Sequence, residues 1–313
     1  MEKIAVIGCG LIGQGWATIF AQSGYDVAIY DASPEAAAKA MATMEPRLSD
    51  LAEYDLIKSS EIPNILARIS VAASIEAALD DAIYVQESGP EDINIKTKIT
   101  RELDTLAAGN VPIGSSTSGI SASRYCNDIY GRSRCLVVHP INPPHLHAAV
   151  EIVPTQWTDK NVVKRVDNLM QKCGRQTILL NEEIDGFVVN RLQGALLEEA
   201  FKLVGSGVVS AEDLDKAICD GLGLRWAIMG PMQTIHLNAP GGVSDYVARY
   251  GKMYRGFGIG SYDEVDWASI TKEKLATKMS QQIPVADISK AQVARDRRLM
   301  ALLRHKKQVQ VET

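Results

Sequence analysis

The chain reads as an α/β protein, a mostly parallel sheet flanked by helices over residues 1–185, followed by an all-α part over 186–313. Three observations predict this. Short apolar runs alternate with helical periodicity from Ile4 to Leu180. A glycine-rich turn joins the first run to the first helix, and beyond Asn181–Gly186 only helical spacing remains. Strands alternating with helices require right-handed crossovers, which place helices on both faces of a parallel sheet.

The first run, Ile4-Ala5-Val6-Ile7, is continuously apolar, as expected of a strand buried on both faces. Gly8, Gly10 and Gly13 follow as G-x-G-x-x-G, and apolar residues then recur at helical spacing to Gln22, with Gly24 beyond. Gly8 permits the tight turn, Gly10 lets the backbone approach a pyrophosphate, and Gly13 lets helix and strand pack closely. The helix start at Leu11 and Ile12 turns its free amides toward the phosphates. A second strand, Asp26–Tyr30, leads into Asp31, 18 residues after Gly13, where a carboxylate holds the adenosine ribose. This is a Rossmann-type dinucleotide unit. A 2′-phosphate at Asp31 would meet a carboxylate, and Ala32, Ser33 and Pro34 offer no positive charge, so NAD is the expected cofactor.

Ser33-Pro34 reads as N-cap and first residue of an alanine-rich helix to about Tyr54. Arg68–Ala72 is a short strand, Ser74 caps a short helix, Ile83–Glu87 is a strand and Asp92–Ala107 a helix. Val111–Ser115 is a strand that runs into the polar stretch Ser115–Gly119. Cys135–His139, Ala149–Val153 and Gln176–Leu180 complete the series, with a helix capped by Thr158 between the last two. Phe187–Val204 opens the helical part, and Ser210 with Asp213 resembles a capping box for a helix to about Asp220. Further helices are expected over Met232–Leu237, Val243–Tyr254, Thr271–Gln282 and Lys290–Arg304.

Composition narrows the function classes. A chain of 313 residues with 46% hydrophobic content can bury two cores, and a net charge of −5 argues against nucleic acid or an anionic membrane as partner. The basic segment Arg295–Lys307 reads as a solvated helix face, and no apolar run reaches the roughly 18 residues of a membrane span. A first strand starting at residue 3 leaves no room for a signal peptide. Five cysteines without CxxC spacing suit a reducing cytoplasm and give no metal framework.

Chemistry-bearing residues gather in three places: Ser115–Gly119, Val138–Pro144 with Glu151 beyond it, and Gly186–Arg191. Ligands of open α/β sheets sit beyond the carboxyl ends of the strands, where the first two clusters fall. The third marks the junction with the helical part. A histidine there suits proton transfer near neutral pH. A carboxylate between Val150 and Ile152 needs a charged or hydrogen-bonding partner, and His139 is the natural candidate. Each residue also has a plain structural reading. His139 could be a satisfied turn residue, Glu151 the partner of a structural arginine, the serine run a solvated turn and Asn190 a helix cap. Their convergence on one end of one dinucleotide-binding protein favours function.

GCGLIG (Gly8–Gly13), SSTSG, VVHPINP (Val137–Pro143), VEIVP (Val150–Pro154) and GFVVNRL (Gly186–Leu192), in this order, resemble the L-3-hydroxyacyl-CoA dehydrogenase superfamily. The resemblance spans essentially the whole chain. Over Gly221–Gly242 it is closer to the λ-crystallin and L-gulonate 3-dehydrogenase branch than to the carnitine dehydrogenases. It implies His139 as catalytic base, Glu151 as its orienting partner, and Ser118 and Asn190 as hydrogen-bond donors to the reacting oxygen. It further implies Glu91 and Lys96 beside the nicotinamide half of NAD, and a homodimer formed through the helical part. Asn142, in the same cluster as His139, is a further candidate substrate contact.

The resulting expectation is an NAD-dependent oxidoreductase that converts the secondary alcohol of an L-3-hydroxy acid, such as L-gulonate, to the 3-keto acid. The alternatives are an L-3-hydroxyacyl-CoA, such as 3-hydroxybutyryl-CoA, or L-carnitine as substrate, and a non-catalytic, crystallin-like NAD-binding protein. CoA-using members are shorter where this chain has Leu224–Ile228, which argues for a free acid. Arg225 is expected to be buried among glycine and apolar residues, where an unpaired charge would be very costly, and is the candidate for the substrate carboxylate; the competing reading is an ion pair with Asp215, Asp220 or an acidic residue of a partner subunit.

Overall fold

The computed structural model describes residues 2–257, 281 and 284–311. Their strands are β1 (Lys3–Ile7), β2 (Asp26–Tyr30), β3 (Ile69–Val71), β4 (Ala82–Glu87), β5 (Ile113–Ser115), β6 (Cys135–Pro140), β7 (Ala149–Pro154) and β8 (Gln176–Leu179). They form one sheet in the order β3-β2-β1-β4-β5-β6-β7-β8. All neighbours run parallel except β6 and β7, which are antiparallel. The order reverses between β1 and β4, which opens a crevice beyond the carboxyl ends of those strands.

Successive residues of β1 feed opposite cores, as the two-residue period of a strand requires. Ile4 and Val6 join one cluster with Trp16 and Phe20 of α1 (Leu11–Gln22), Met44 of α2 (Pro34–Glu53) and Leu169 of α7 (Lys160–Lys172). Ala5 and Ile7 join the other, with Leu79 of α4 (Ile75–Leu79), Leu103 of α5 (Ile93–Leu106) and Tyr125 of α6 (Ser123–Cys126). Ser33, Ser74 and Asp92 cap α2, α4 and α5 as their sequence positions suggest. The cap of α7 is Asp159, one residue past the expected Thr158. Thr158 instead donates to the Cys135 carbonyl and accepts from the Thr155 amide, bonds that tie the loop to β6. A helix with no strong periodicity, α3 (Ile62–Ala67), is added before β3.

Contacts divide the chain into two compact units, Met1–Asn190 with Gln292–Thr313, and Arg191–Ala291. The expected division lies at 185; here the first unit runs on to Asn190 and takes up the chain again from Gln292, within the last helix, Ile288–Val311. Met300 is buried in the first unit's core, with Leu299 and Leu303 against it. Arg297 and Arg304 reach Asp50 and Asp55 at 3.6 and 2.7 Å. Two arginines of the basic segment thus pair with acids in and just past α2, while Met300 between them is buried.

In the second unit, α8 (Val189–Gly205) enters from the first, and Ser210 caps α9 (Ala211–Lys216) through the Asp213 amide. The expected single helix widens into a π-helical stretch, Ala217–Gly223, before α10 (Leu224–Trp226). Next come α11 (Pro231–Leu237) and α12 (Gly242–Gly256). The helix expected over Thr271–Gln282 lies, apart from Gln281, outside the described residues. No helix among the described residues is long and apolar enough to cross a membrane.

Candidate active site

The glycine turn has the geometry a dinucleotide needs. Gly8 takes φ +102°, and a Cβ there would meet the Ser88 carbonyl at 2.5 Å. A Cβ on Gly13 would overlap the Gly8 carbonyl, so both positions admit only glycine. Gly8, Gly10, Leu11 and Asp31 line a cleft of about 940 Å³, whose far wall includes Ile75 and Ile95. Asp31 is braced by the backbone, accepting from the Cys9 amide at 2.8 Å and the Ser33 amide at 2.9 Å. Ile12 does not line the cleft; its side chain packs on the core, leaving only its backbone for the phosphates.

Antiparallel pairing of β6 with β7 sets His139 directly opposite Glu151, on one face of the sheet. That register brings His139 Nδ1 to 2.7 Å from Glu151 Oε2, with both residues buried. Glu151 Oε1 accepts two further bonds, from the amides of Val188 at 2.7 Å and Val189 at 3.0 Å. Those amides start α8, so the carboxylate meets the positive end of that helix as well as the imidazole. Gly186 and Phe187 take φ +76° and +51° to turn the chain there. The buried Phe187 ring lies against His139, centroids 5.5 Å apart. Burial works to raise the Glu151 pKa, but the bonds from His139, Val189 and Val188 outweigh it and hold the group below its ordinary value.

The polar stretch after β5 is folded around Glu91. Its Oε1 accepts from the Thr117 hydroxyl at 2.6 Å, the Ser118 amide at 2.9 Å and the Gly119 amide at 3.1 Å. The Ser118 hydroxyl stands 3.3 Å from the same oxygen. Here too burial pushes upward, and the Thr117 bond, the Lys96 charge and the two amides bring Glu91 below the ordinary carboxylate range. Lys96 is buried and reaches Glu91 Oε2 at 3.7 Å, but its nearer partner is Glu87, at 3.1 Å. Asn190 donates from Nδ2 to the Ser118 carbonyl at 2.5 Å, so it ties the junction to the serine turn.

Asn142 is exposed just past β6. Arg225 falls in the second unit, and the expectation that its apolar surroundings bury it is corrected: it is exposed, and Leu224 and Ile228 beside it are 68% and 79% exposed. A three-residue helix after a π-helical stretch presents these side chains outward. Among the described residues Arg225 forms no ion pair with Asp215 or Asp220. One contributor escaped the sequence reading, Glu87, while Thr117 and Phe187 fall within the expected clusters Ser115–Gly119 and Gly186–Arg191 but without an assigned role. Glu87 carried a signal like that of Glu151, an acid in an apolar strand, but at the strand's last residue rather than within it. No group of three or more metal-ligating side chains occurs among the described residues.

The family model described as the 3-hydroxyacyl-CoA dehydrogenase NAD binding domain matches residues 3–184, and that of the C-terminal domain residues 186–283. Lambda-crystallin of Oryctolagus cuniculus is 34% identical over 312 residues, covering 98% of this chain and 97% of that one. An L-carnitine dehydrogenase of Oceanobacillus iheyensis is 38% identical over 237 residues, 76% of each protein. The solved structure of 5-formyl-3-hydroxy-2-methylpyridine 4-carboxylic acid 5-dehydrogenase, an NAD+-dependent dismutase, matches with a TM-score of 0.81, at 26% identity over 97% of both chains.

Two outcomes follow from this geometry. Catalytic efficiency should strongly favour NAD over NADP, and Asp31→Ala should narrow the gap; equal efficiency in the unaltered chain would contradict the role of Asp31. Because Glu151 sits below its ordinary value, its contribution to stability is present above about pH 4.3 and is lost as pH falls through the lower folded value. Thermal melts should show Glu151→Gln below the unaltered chain at about pH 6, the two curves converging toward about pH 3.

Proposed function

The chain belongs to the 3-hydroxyacyl-CoA dehydrogenase family of NAD-dependent oxidoreductases, and on that premise we propose that it oxidises the secondary alcohol of a free L-3-hydroxy acid. The observation that carries the chemical part is the His139–Glu151 pair. An acidic partner at Nδ1 holds the proton on that nitrogen and leaves Nε2 as the basic one. His139 Nε2 then takes the substrate hydroxyl proton, and Glu151 stabilises the imidazolium that results. Ser118 and Asn190 hydrogen-bond the reacting oxygen as it becomes a carbonyl. Asn142 contacts the substrate beyond it. When bound, NAD supplies the hydride acceptor, with Gly8, Gly10, Leu11, Ile12, Gly13 and Asp31 holding its adenosine diphosphate half and Glu91 and Lys96 flanking its nicotinamide half.

The free-acid reading is supported by an L-carnitine dehydrogenase 38% identical to this chain; a 3-hydroxyacyl-CoA dehydrogenase at 34% identity keeps the thioester as the alternative. L-Gulonate is our first choice of substrate. Arg225, exposed and unpaired among the described residues, is the group we assign to the substrate carboxylate. The intact pair of His139 and Glu151 speaks against a purely structural, crystallin-like use of the scaffold. We also infer a homodimer, supported by the exposed apolar side chains of the second unit, Val208, Ile228, Met232 and Leu237, and, from the cysteine pattern, a cytoplasmic location.

A panel of L-gulonate, L-carnitine, L-3-hydroxybutyrate and L-3-hydroxybutyryl-CoA with NAD tests the substrate class. A free acid should give the highest kcat/KM; a clear preference for the CoA thioester would overturn the free-acid reading. His139→Ala should lower kcat by roughly 10²–10⁴ while leaving NADH affinity unchanged. Arg225→Met should raise KM for the free acid roughly tenfold or more with little change in melting temperature. A normal KM in a folded Arg225→Met protein would remove Arg225 from the site.

A further inference from the structure

Glu87 closes β4 fully buried, and the chemistry proposed above makes no use of it. Its Oε1 accepts from the Gly89 amide at 2.6 Å, and its Oε2 from the Ser115 hydroxyl at 2.5 Å. Lys96 Nζ lies 3.1 Å from Oε2 and 3.3 Å from Oε1, and 3.4 Å from the Gly89 carbonyl. One buried ammonium thus stands between two carboxylates, Glu87 sealed within the sheet and Glu91 half-open at its edge. Burial, and after it the Glu87 charge, pushes up the pKa of the Tyr125 phenol, which lies near the same carboxylate.

A buried ion pair is a weak source of stability, since well-packed apolar residues of similar volume often serve as well. What this one does is fix a direction. Four bonds hold Glu87, Glu87 holds Lys96, and Lys96 faces the carboxylate around which the Thr117–Gly119 turn is folded. The position of this chain of contacts is set by topology. Asp31 takes the adenosine half on the β2 side of the switch between β1 and β4, so the nicotinamide half lies over the ends of β4 and β5. Glu87 and Ser115 are the last residues of those two strands and pair in register.

We propose that Glu87 is a positioning residue for the nicotinamide half of the cofactor, acting through Lys96 and Ser115 to hold Glu91 and the Thr117–Gly119 turn as one wall of that subsite. The proposal rests on the cofactor and not on the substrate, so it is tested without turnover. Dissociation constants are measured for NADH and for ADP-ribose, which lacks the nicotinamide ring. Glu87→Gln should weaken NADH roughly tenfold or more, the effect of losing a charged hydrogen bond, and leave ADP-ribose within about twofold. Lys96→Met should show the same split, and the double variant should be no weaker than the weaker single one, because one residue acts through the other. Equal loss of both ligands, or no loss of either in a folded Glu87→Gln protein, overturns the proposal. If Glu87→Gln fails to fold, Ser115→Ala removes one bond and keeps both charges. It should give the same split in smaller degree, and its absence there also overturns the proposal. An error in the substrate class leaves all these outcomes unchanged.

Discussion

The fully buried Glu151 carboxylate is the constraint on which the candidate active site depends. A charge so placed must find its partners inside the protein, and it finds three: the His139 ring and the amides of Val188 and Val189. Each partner imposes something on the fold. The ring requires β6 and β7 to run antiparallel in one register, the sole antiparallel pairing among the described strands. The amides require α8 to begin beside the carboxylate, which in turn places Gly186 and Phe187 in left-handed conformations. A non-glycine residue there costs energy, and the burial of the Phe187 ring against His139 offsets it.

A second acid organises the neighbouring strand ends in the same manner. Glu91 gathers a hydroxyl and two amides of the serine turn, and Asn190 clamps the carbonyl of that turn from the first residues of α8. The two acids therefore meet the start of α8 from different places, Glu151 on β7 through the helix amides and Glu91 in the loop after β4 through Asn190. The cleft beside the glycine turn carries Asp31, a carboxylate already braced by two backbone amides. Asp31 is thus held in place before any ligand binds, which lowers the cost of ordering one there.

Much of this was legible because the signals are local. The glycine turn, the strand before it and the acid after it lie within Ile4–Asp31, and backbone geometry allows few other uses for that pattern. Glu151 stood out as a charge inside an apolar strand, and His139 as the residue positioned to answer it. What escaped was decided by tertiary contacts. Nothing in the spacing of Phe187–Val204 shows that the helix must start two residues late to give its amides to Glu151. The return of the chain to the first unit at Gln292 is a long-range choice that chain order conceals. The apolar run around Arg225 was read as buried, but an apolar sequence fixes only that some surface must cover it, not that this chain provides it.

The claim that Glu151 fixes His139 as a base with its free nitrogen toward substrate is tested most directly by the ¹⁵N resonances of the His139 ring, followed by NMR at mildly alkaline pH. The expected result is a protonated Nδ1 and an unprotonated Nε2, with that preference lost in Glu151→Gln. A proton on Nε2 in the unaltered protein, or an unchanged pattern in Glu151→Gln, would contradict it.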